Sequence, residues 1–171
     1  DSLSNALVYK KDYSEAYNQL GLIFEKKGNN LSALNNFFHA LKINPNFAEV
    51  FFNLGNIYSK NGEYKIAIEN YKKAIELKEN YYQAYCNLGN SEKDLGDIKS
   101  ARFYYKKALQ INPNDYESIH GISLIQLSEL DYKNGWKNYE SRFLLSSEKN
   151  KSKHGNMPRL KSLENIDKKK I

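Results

Sequence analysis

A block of residues recurs three times in this chain, at a fixed interval of 34 residues. Counted from the start of each block, Leu stands at position 7, Gly at positions 8 and 15, Ala at positions 20 and 27, and an aromatic residue at position 24. The residues are Leu20, Leu54 and Leu88; Gly21, Gly55 and Gly89; Gly28, Gly62 and Gly96; Ala33, Ala67 and Ala101; Phe37, Tyr71 and Tyr105; and Ala40, Ala74 and Ala108. Such a period is typical of a repeat architecture, in which each unit contacts mainly its neighbours. It argues against a fold built around one central core.

Each block predicts a pair of helices. In the second block, the first apolar stripe consists of Phe51, Leu54, Ile57 and Tyr58, which are spaced to share one helix face. Gly62 ends this helix. A second stripe follows at Ile66, Ala67, Tyr71, Ala74 and Ile75. Gly55 leaves room for the second helix to approach closely. Both helices are apolar on more than one side, so the hairpin needs copies of itself above and below.

The recurring positions resemble those of the tetratricopeptide repeat, a helix–turn–helix unit. Pro45 and Pro113 at position 32 fit the same pattern, and Tyr17, Phe51 and Tyr85 stand where that family most often has Trp. The resemblance implies an all-α fold, namely a right-handed α-solenoid of antiparallel helix pairs. It also implies a scaffold for protein–protein interaction, with a protein or peptide partner bound in a concave groove lined by the first helices.

The same frame divides the chain into segments. Complete repeats are predicted at 14–47, 48–81 and 82–115. Residues 1–13 match the second helix of a truncated preceding repeat, so we expect a longer parent protein. Residues 116–145 form a divergent capping repeat, because Arg142 stands at a close-packing position. Residues 146–171 are expected to be a basic flexible linker and the start of a following segment.

Two local features of the repeats lead to further expectations. Side chains that can cap a helix precede each first helix, in the pairs Asp12 and Glu15, Asn46 and Glu49, Asn80 and Gln83, and Asn114 and Glu117. The first helices should then begin near Phe47, Tyr81 and Asp115. Glu92 replaces an aromatic residue at position 11 of the third repeat. Because an unpaired buried carboxylate is costly, we expect it to reach solvent or to pair with Lys or Arg.

The formal net charge of +6 is concentrated near the C-terminus. Residues 1–145 contain 18 basic and 17 acidic residues, whereas residues 146–171 contain 8 and 3. The repeats thus lack the positive excess of a nucleic-acid-binding surface, and no nucleic-acid partner is expected. No apolar run is long enough to cross a bilayer, so no membrane partner is expected either. A single Cys excludes an internal disulfide and favours a reducing compartment, so we expect a cytoplasmic location.

The residues that could carry chemistry are scattered. His39, His120 and His154 have no metal-ligand spacing, and the glycines recur with the repeat instead of forming a phosphate-binding loop. Cys86 and His120 share position 5 one repeat apart, which is farther than a nucleophilic dyad allows. The sequence therefore predicts no enzyme activity for this chain, no cofactor and no metal.

Amide side chains mark the expected groove. Its predicted lining is Asn18, Gln19, Leu22, Phe52, Asn53, Asn56, Cys86, Asn87, Asn90 and Lys93. Asn recurs at positions 6 and 9, and an amide both donates and accepts hydrogen bonds. This row resembles the asparagine ladder of the nucleocytoplasmic O-linked N-acetylglucosamine transferases, which implies contacts to the backbone of an extended peptide. The candidate peptide-binding residues are Gln19, Asn53, Asn56, Asn87 and Asn90. The alternative is that these amides only hydrate the groove or bond locally.

A second resemblance concerns the C-terminal part. The segment GWKNYESRF, followed by a polar gap and Pro158, is similar to the junction between bacterial tetratricopeptide arrays and a glycosyltransferase-like domain. The matching residues are Gly135, Trp136, Tyr139, Glu140 and Arg142. This resemblance implies an alternative function, in which the chain is the substrate-presenting arm of a larger glycosyltransferase-like enzyme. The sequence that follows Ile171 in the parent protein would distinguish the two functions.

Overall fold

The computed structural model describes residues 14–139, and within this range the chain forms eight α-helices and no strand. The helices are α1 (Ser14–Lys26), α2 (Asn30–Ile43), α3 (Ala48–Lys60), α4 (Tyr64–Leu77), α5 (Tyr82–Asp94), α6 (Ile98–Ile111), α7 (Tyr116–Ser128) and α8 (Tyr132–Tyr139). The expected all-α fold is confirmed for this range. The predictions for residues 1–13 and 140–171, including Arg142 and the linker, lie outside the described residues.

The helices pair in sequence order within two compact units, and the chain passes from the first to the second between Pro113 and Asn114. The first unit contains the pairs α1–α2, α3–α4 and α5–α6, and the second contains α7–α8. Within the first unit, α2 packs against α3 and α4 packs against α5, while α1 contacts α3 and α3 contacts α5. Neighbouring hairpins of this unit therefore cover one another, as their apolar faces require.

The turn inside each pair depends on a left-handed residue. Gly28, Gly62 and Gly96 have φ angles of +75°, +80° and +88°, which glycine adopts without steric cost. In the second unit the equivalent residue is Leu130, with φ of +66°. A leucine in this conformation brings its Cβ too close to the backbone, so this turn is strained.

The recurring alanine and aromatic residues of the repeat form the core. The Ala residues of positions 20 and 27 are fully buried in all three repeats. The aromatic ring of position 24 lies directly against the glycine of position 8. A Cβ built on Gly55 would stand 2.5 Å from Cε1 of Tyr71, and one on Gly89 would stand 2.8 Å from Cδ1 of Tyr105. The close approach predicted at Gly55 is confirmed, and the group that approaches is the ring from the second helix.

The predicted caps were wrong for three helices, because Asn46 and Asn80 do not cap α3 and α5, and Asp115 caps α7 in place of Asn114. The residues at the N-caps of α3 and α5 are Phe47 and Tyr81, and neither makes a side-chain capping bond. Tyr81 is buried, and Phe47 packs on the core. Packing of these aromatic side chains, and not a capping bond, therefore determines which residue stands at each N-cap. Side-chain caps occur instead at Asn29, Asp97 and Asp115, which accept from the backbone N–H three residues later.

The expectation for Glu92 is confirmed. Its carboxylate lies 3.9 Å from Nζ of Lys72 on α4, and its side chain remains 12% exposed. The Lys72 side chain is more than half exposed, so this pair is screened by solvent and contributes little to stability. The substitution of an aromatic residue by Glu is thus tolerated at the edge of the packed surface.

Candidate functional site

The five candidate residues lie on the first helices of the three repeats. Gln19 on α1 is exposed, whereas Asn56 on α3 and Asn87 and Asn90 on α5 are partly buried. Asn53 on α3 is only 8% exposed. Four of the five side chains are thus open to a partner, and the fifth lies beneath the surface.

Hydrogen bonds connect the amides across the repeats. Nδ2 of Asn53 donates to Oδ1 of Asn18 over 2.9 Å, and Nδ2 of Asn87 donates to Oδ1 of Asn56 over 2.8 Å. Each bond joins a first helix to the first helix of the preceding repeat. We call Asn18, Asn53, Asn56, Asn87 and Asn90 the amide row.

Two tyrosines from the second helices also reach the amide row. The hydroxyl of Tyr71 donates to Oδ1 of Asn56 over 2.9 Å, and the hydroxyl of Tyr105 donates to Oδ1 of Asn90 over 2.6 Å. Burial raises the pKa of the Tyr71 hydroxyl well above its usual value, so this group keeps its proton at neutral pH. The repeat pattern predicts these tyrosines only as core residues, and their polar role was not predicted.

Two of the predicted lining residues at position 5, Asn18 and Cys86, are buried, and for these two the prediction was wrong, whereas Phe52 is partly exposed. Asn18 and Cys86 are 7% and 1% exposed. The ring of Phe52 packs against Tyr81, with ring centroids 4.9 Å apart. Because successive first helices contact each other, side chains at this position fill the space between them.

Ion pairs neutralise much of the charge on the first helices. Glu25 on α1 pairs with Lys60 on α3. Glu49 on α3 pairs with Lys78 over 2.8 Å, and the hydrogen bond from Lys78 holds the pKa of the Glu49 carboxyl below its usual value. With these charges paired, neutral amides provide much of the hydrogen-bonding capacity of this face.

Neither a metal centre nor a transmembrane helix emerges from the described part of the chain. Within residues 14–139, no three His, Cys, Asp or Glu side chains are grouped to hold a metal ion. None of the helices in that range has both the length and the apolar character needed to span a membrane.

Comparison with protein families identifies the repeat. A tetratricopeptide repeat model matches residues 48–81 and 82–115, and a second model of the repeat matches residues 26–62. Together the matches span more than half of the chain. The chain belongs to the tetratricopeptide repeat family. No catalytic family is indicated, and a search of curated proteins found no significant match.

Solved structures of tetratricopeptide repeat type share this fold. MamA is 22% identical, with a TM-score of 0.72 over 88% of this chain and 87% of MamA. PilF of Pseudomonas aeruginosa is 20% identical, with a TM-score of 0.77 over 85% of this chain and 67% of PilF. YrrB, described as a TPR protein with an unusual peptide-binding site, is 20% identical, with a TM-score of 0.72 over 82% of this chain and 73% of YrrB. At these identities the likeness concerns the fold alone.

Proposed function

We propose that the face formed by α1, α3 and α5 binds an extended peptide segment of a partner protein. The amide row is the observation that supports this function most directly. An amide offers two N–H donors and two acceptor lone pairs. The bonds to Asn56, Asn87 and Asn90 described above use one or two of these four positions in each side chain. The remaining capacity is suited to peptide backbone groups, which carry the same donors and acceptors.

The exposure of the side chains gives each one a role in this proposal. Gln19, Asn56, Asn87 and Asn90 contact the partner, since their side chains are exposed or partly exposed. Asn53 supports the row from below through its bond to Asn18. The peptide-binding site named for YrrB supports the proposal by analogy of fold. Cys86 is buried and forms no disulfide, which is compatible with the cytoplasmic location that we also propose.

The test begins with a peptide selected from a phage-displayed library of random dodecamers against the whole chain. Its affinity is measured by fluorescence polarisation for the parent protein and for the double variant Asn87→Ala/Asn90→Ala. The loss of two hydrogen bonds should weaken binding roughly tenfold or more. Circular dichroism should show unchanged helicity.

A matched control uses two asparagines on the second helices. The amides of Asn36 and Asn70 donate to backbone carbonyls four residues earlier, each over 2.8 Å, and take no part in the amide row. The variant Asn36→Ala/Asn70→Ala should bind within about twofold of the parent. Equal losses in both variants, or no loss in the first, would show that the amides serve only to hold the repeats together.

A further inference from the structure

The hydroxyls of Tyr71 and Tyr105 emerge at the amide row from inside the core. Their rings are 1% and 0% exposed and cross the first helices at Gly55 and Gly89. Because each glycine has no side chain, the ring passes over the helix backbone and its hydroxyl reaches the next residue, which is Asn in both repeats. The bonds to Asn56 and Asn90 follow from this geometry.

The residue types at these positions change together along the chain. In the second and third repeats, Tyr at position 24 accompanies Asn at position 9. In the first repeat, Phe37 and Leu22 take the same two positions, so neither the hydroxyl nor the amide is present. Phe37 is nonetheless fully buried against Gly21, which shows that the ring alone is sufficient for packing.

The closing repeat differs at both positions that the hydroxyl bond uses in the second and third repeats. Here Tyr139 stands at position 24, but buried Ser123 replaces the glycine and Leu124 replaces the asparagine. The ring of Tyr139 lies beside that of His120 instead, with centroids 5.2 Å apart. The tyrosine thus reaches position 9 in the two repeats that have glycine at position 8 and asparagine at position 9.

These bonds fix the polarity of the amides. Oδ1 of Asn56 accepts from both the Tyr71 hydroxyl and Nδ2 of Asn87, which occupies both of its lone pairs. Asn56 can then offer a partner only its N–H donors. The oxygen of Asn90 accepts from the hydroxyl of Tyr105, which uses one of its two lone pairs and places its N–H groups on the opposite side of the amide.

We propose that Tyr71 and Tyr105 are positioning residues, which turn the amides of Asn56 and Asn90 so that their N–H groups face the partner. This inference rests on the proposed function. It assigns a chemical class to the ligand groups at these two points: they are hydrogen-bond acceptors, namely backbone carbonyl oxygens of the bound segment. Asn56 and Asn90 do not accept hydrogen bonds from peptide N–H groups of the partner. A proline or an N-methylated residue, which has no backbone N–H, therefore keeps the contact if its carbonyl faces Asn56 or Asn90.

The first experiment uses the selected dodecamer and the variant Asn90→Asp. A carboxylate keeps the size of the amide and still accepts from Tyr105, but it has no N–H to donate. Asn90→Asp should therefore weaken binding at least as much as Asn90→Ala, roughly three- to tenfold. Parent-like affinity for Asn90→Asp would overturn the assignment of this point to an acceptor.

The second experiment removes the hydroxyls. Tyr71→Phe/Tyr105→Phe should weaken binding roughly threefold or more, because the amides can then turn. It should also shift the side-chain amide signals of Asn56 and Asn90 in nitrogen-15 NMR spectra. The control Tyr85→Phe/Tyr104→Phe changes two tyrosines whose ring centroids lie 6.5 Å apart and which no described bond joins to the row, and it should bind like the parent.

The outcomes separate this inference from the function it rests on. If Asn87→Ala/Asn90→Ala weakens binding while the two Tyr→Phe changes do not, the peptide site stands and the positioning role is refuted. If none of the amide variants weakens binding, the proposed function itself fails. Should the double tyrosine variant fold poorly, Tyr105→Phe alone and Asn90→Asp decide the matter.

Discussion

Substitution of Gly55 by Ala tests the contact on which each repeat is built. The new Cβ would lie 2.5, 2.7 and 3.0 Å from three atoms of the Tyr71 ring. Ordinary carbon contacts are about 3.5–4.0 Å, so the ring must move by about 1 Å. Tyr71 is only 1% exposed, so a displaced ring must push against the neighbouring buried side chains. The hydroxyl would also leave Asn56, to which it is bonded over 2.9 Å.

The expected loss of stability combines two destabilising contributions with one stabilising contribution. Overpacking of a buried side chain costs about 1–3 kcal/mol, and loss of a hydrogen bond costs about 1 kcal/mol. Replacing Gly by Ala inside a helix contributes about 1 kcal/mol in the favourable direction. The clash involves three ring atoms with little room, so the upper part of the overpacking range applies. We expect a net loss of about 3 kcal/mol, which lowers Tm by about 9 °C at the 2–4 °C per kcal/mol typical of a chain of this length.

Thermal unfolding of the whole chain, followed by circular dichroism, measures this loss. Gly62→Ala is the control: its Cβ would meet no atom within 4 Å, and its φ of +80° leaves only backbone strain, worth about 1 kcal/mol. Combining Gly55→Ala with Tyr71→Leu should cost less than the sum of the two single changes, by about 1 kcal/mol or more. An unchanged or raised Tm for Gly55→Ala, or strict additivity with Tyr71→Leu, would refute the steric argument.

Three further predictions concern the turns, the caps and the buried tyrosines. Leu130→Gly should raise stability by about 0.5 kcal/mol in a thermal melt, because it removes the strain at φ of +66° from a side chain that is 69% exposed. Asn29→Ala should cost about 1 kcal/mol in urea unfolding, and Asn46→Ala less than half as much, since only Asn29 makes a capping bond. Burial raises the pKa of Tyr81 to about 12. The folded state then keeps a proton that the unfolded chain loses near pH 10, so stability is fully present below pH 10 and falls toward pH 12. Tyr81→Phe should flatten this alkaline slope in unfolding experiments.

The repeat architecture could be predicted from sequence because it depends on residues that recur. Gly62 and Ala67 have equivalents one period earlier and one period later, and each copy confirms the identity of the others. The caps were harder to predict. Asn46 has the right chemistry to cap α3, but the helix begins one residue later because Phe47 packs on the core. Tertiary packing there outweighs a local preference worth about 1 kcal/mol.

The candidate site was predicted only in part for a different reason. Positions such as those of Asn53 and Asn87 indicate which face of the helix a residue occupies, but not which neighbour its amide meets. The bond from Asn53 to Asn18 joins positions 6 and 5, whereas the bond from Asn87 to Asn56 joins positions 6 and 9. A repeat pattern treats equivalent positions alike, so it cannot predict that the two amides at position 6 bond to different positions. The signal that could have been found is the joint occurrence of Tyr and Asn at positions 24 and 9.

Removal of the Tyr71 hydroxyl distinguishes a contribution to stability from a contribution to binding. Phe37 shows that a ring without a hydroxyl fills the same place in the first repeat, and it is 0% exposed there. On folding, the hydroxyl loses its hydrogen bonds to water, which costs free energy, and gains one hydrogen bond to Asn56. Because these two contributions nearly cancel, its net effect on the free energy of unfolding is small. Tyr71→Phe should therefore change Tm by only a few degrees. If the same substitution weakens peptide binding, the hydroxyl serves the partner more than the fold. A large loss of Tm with unchanged affinity would assign it to the fold instead.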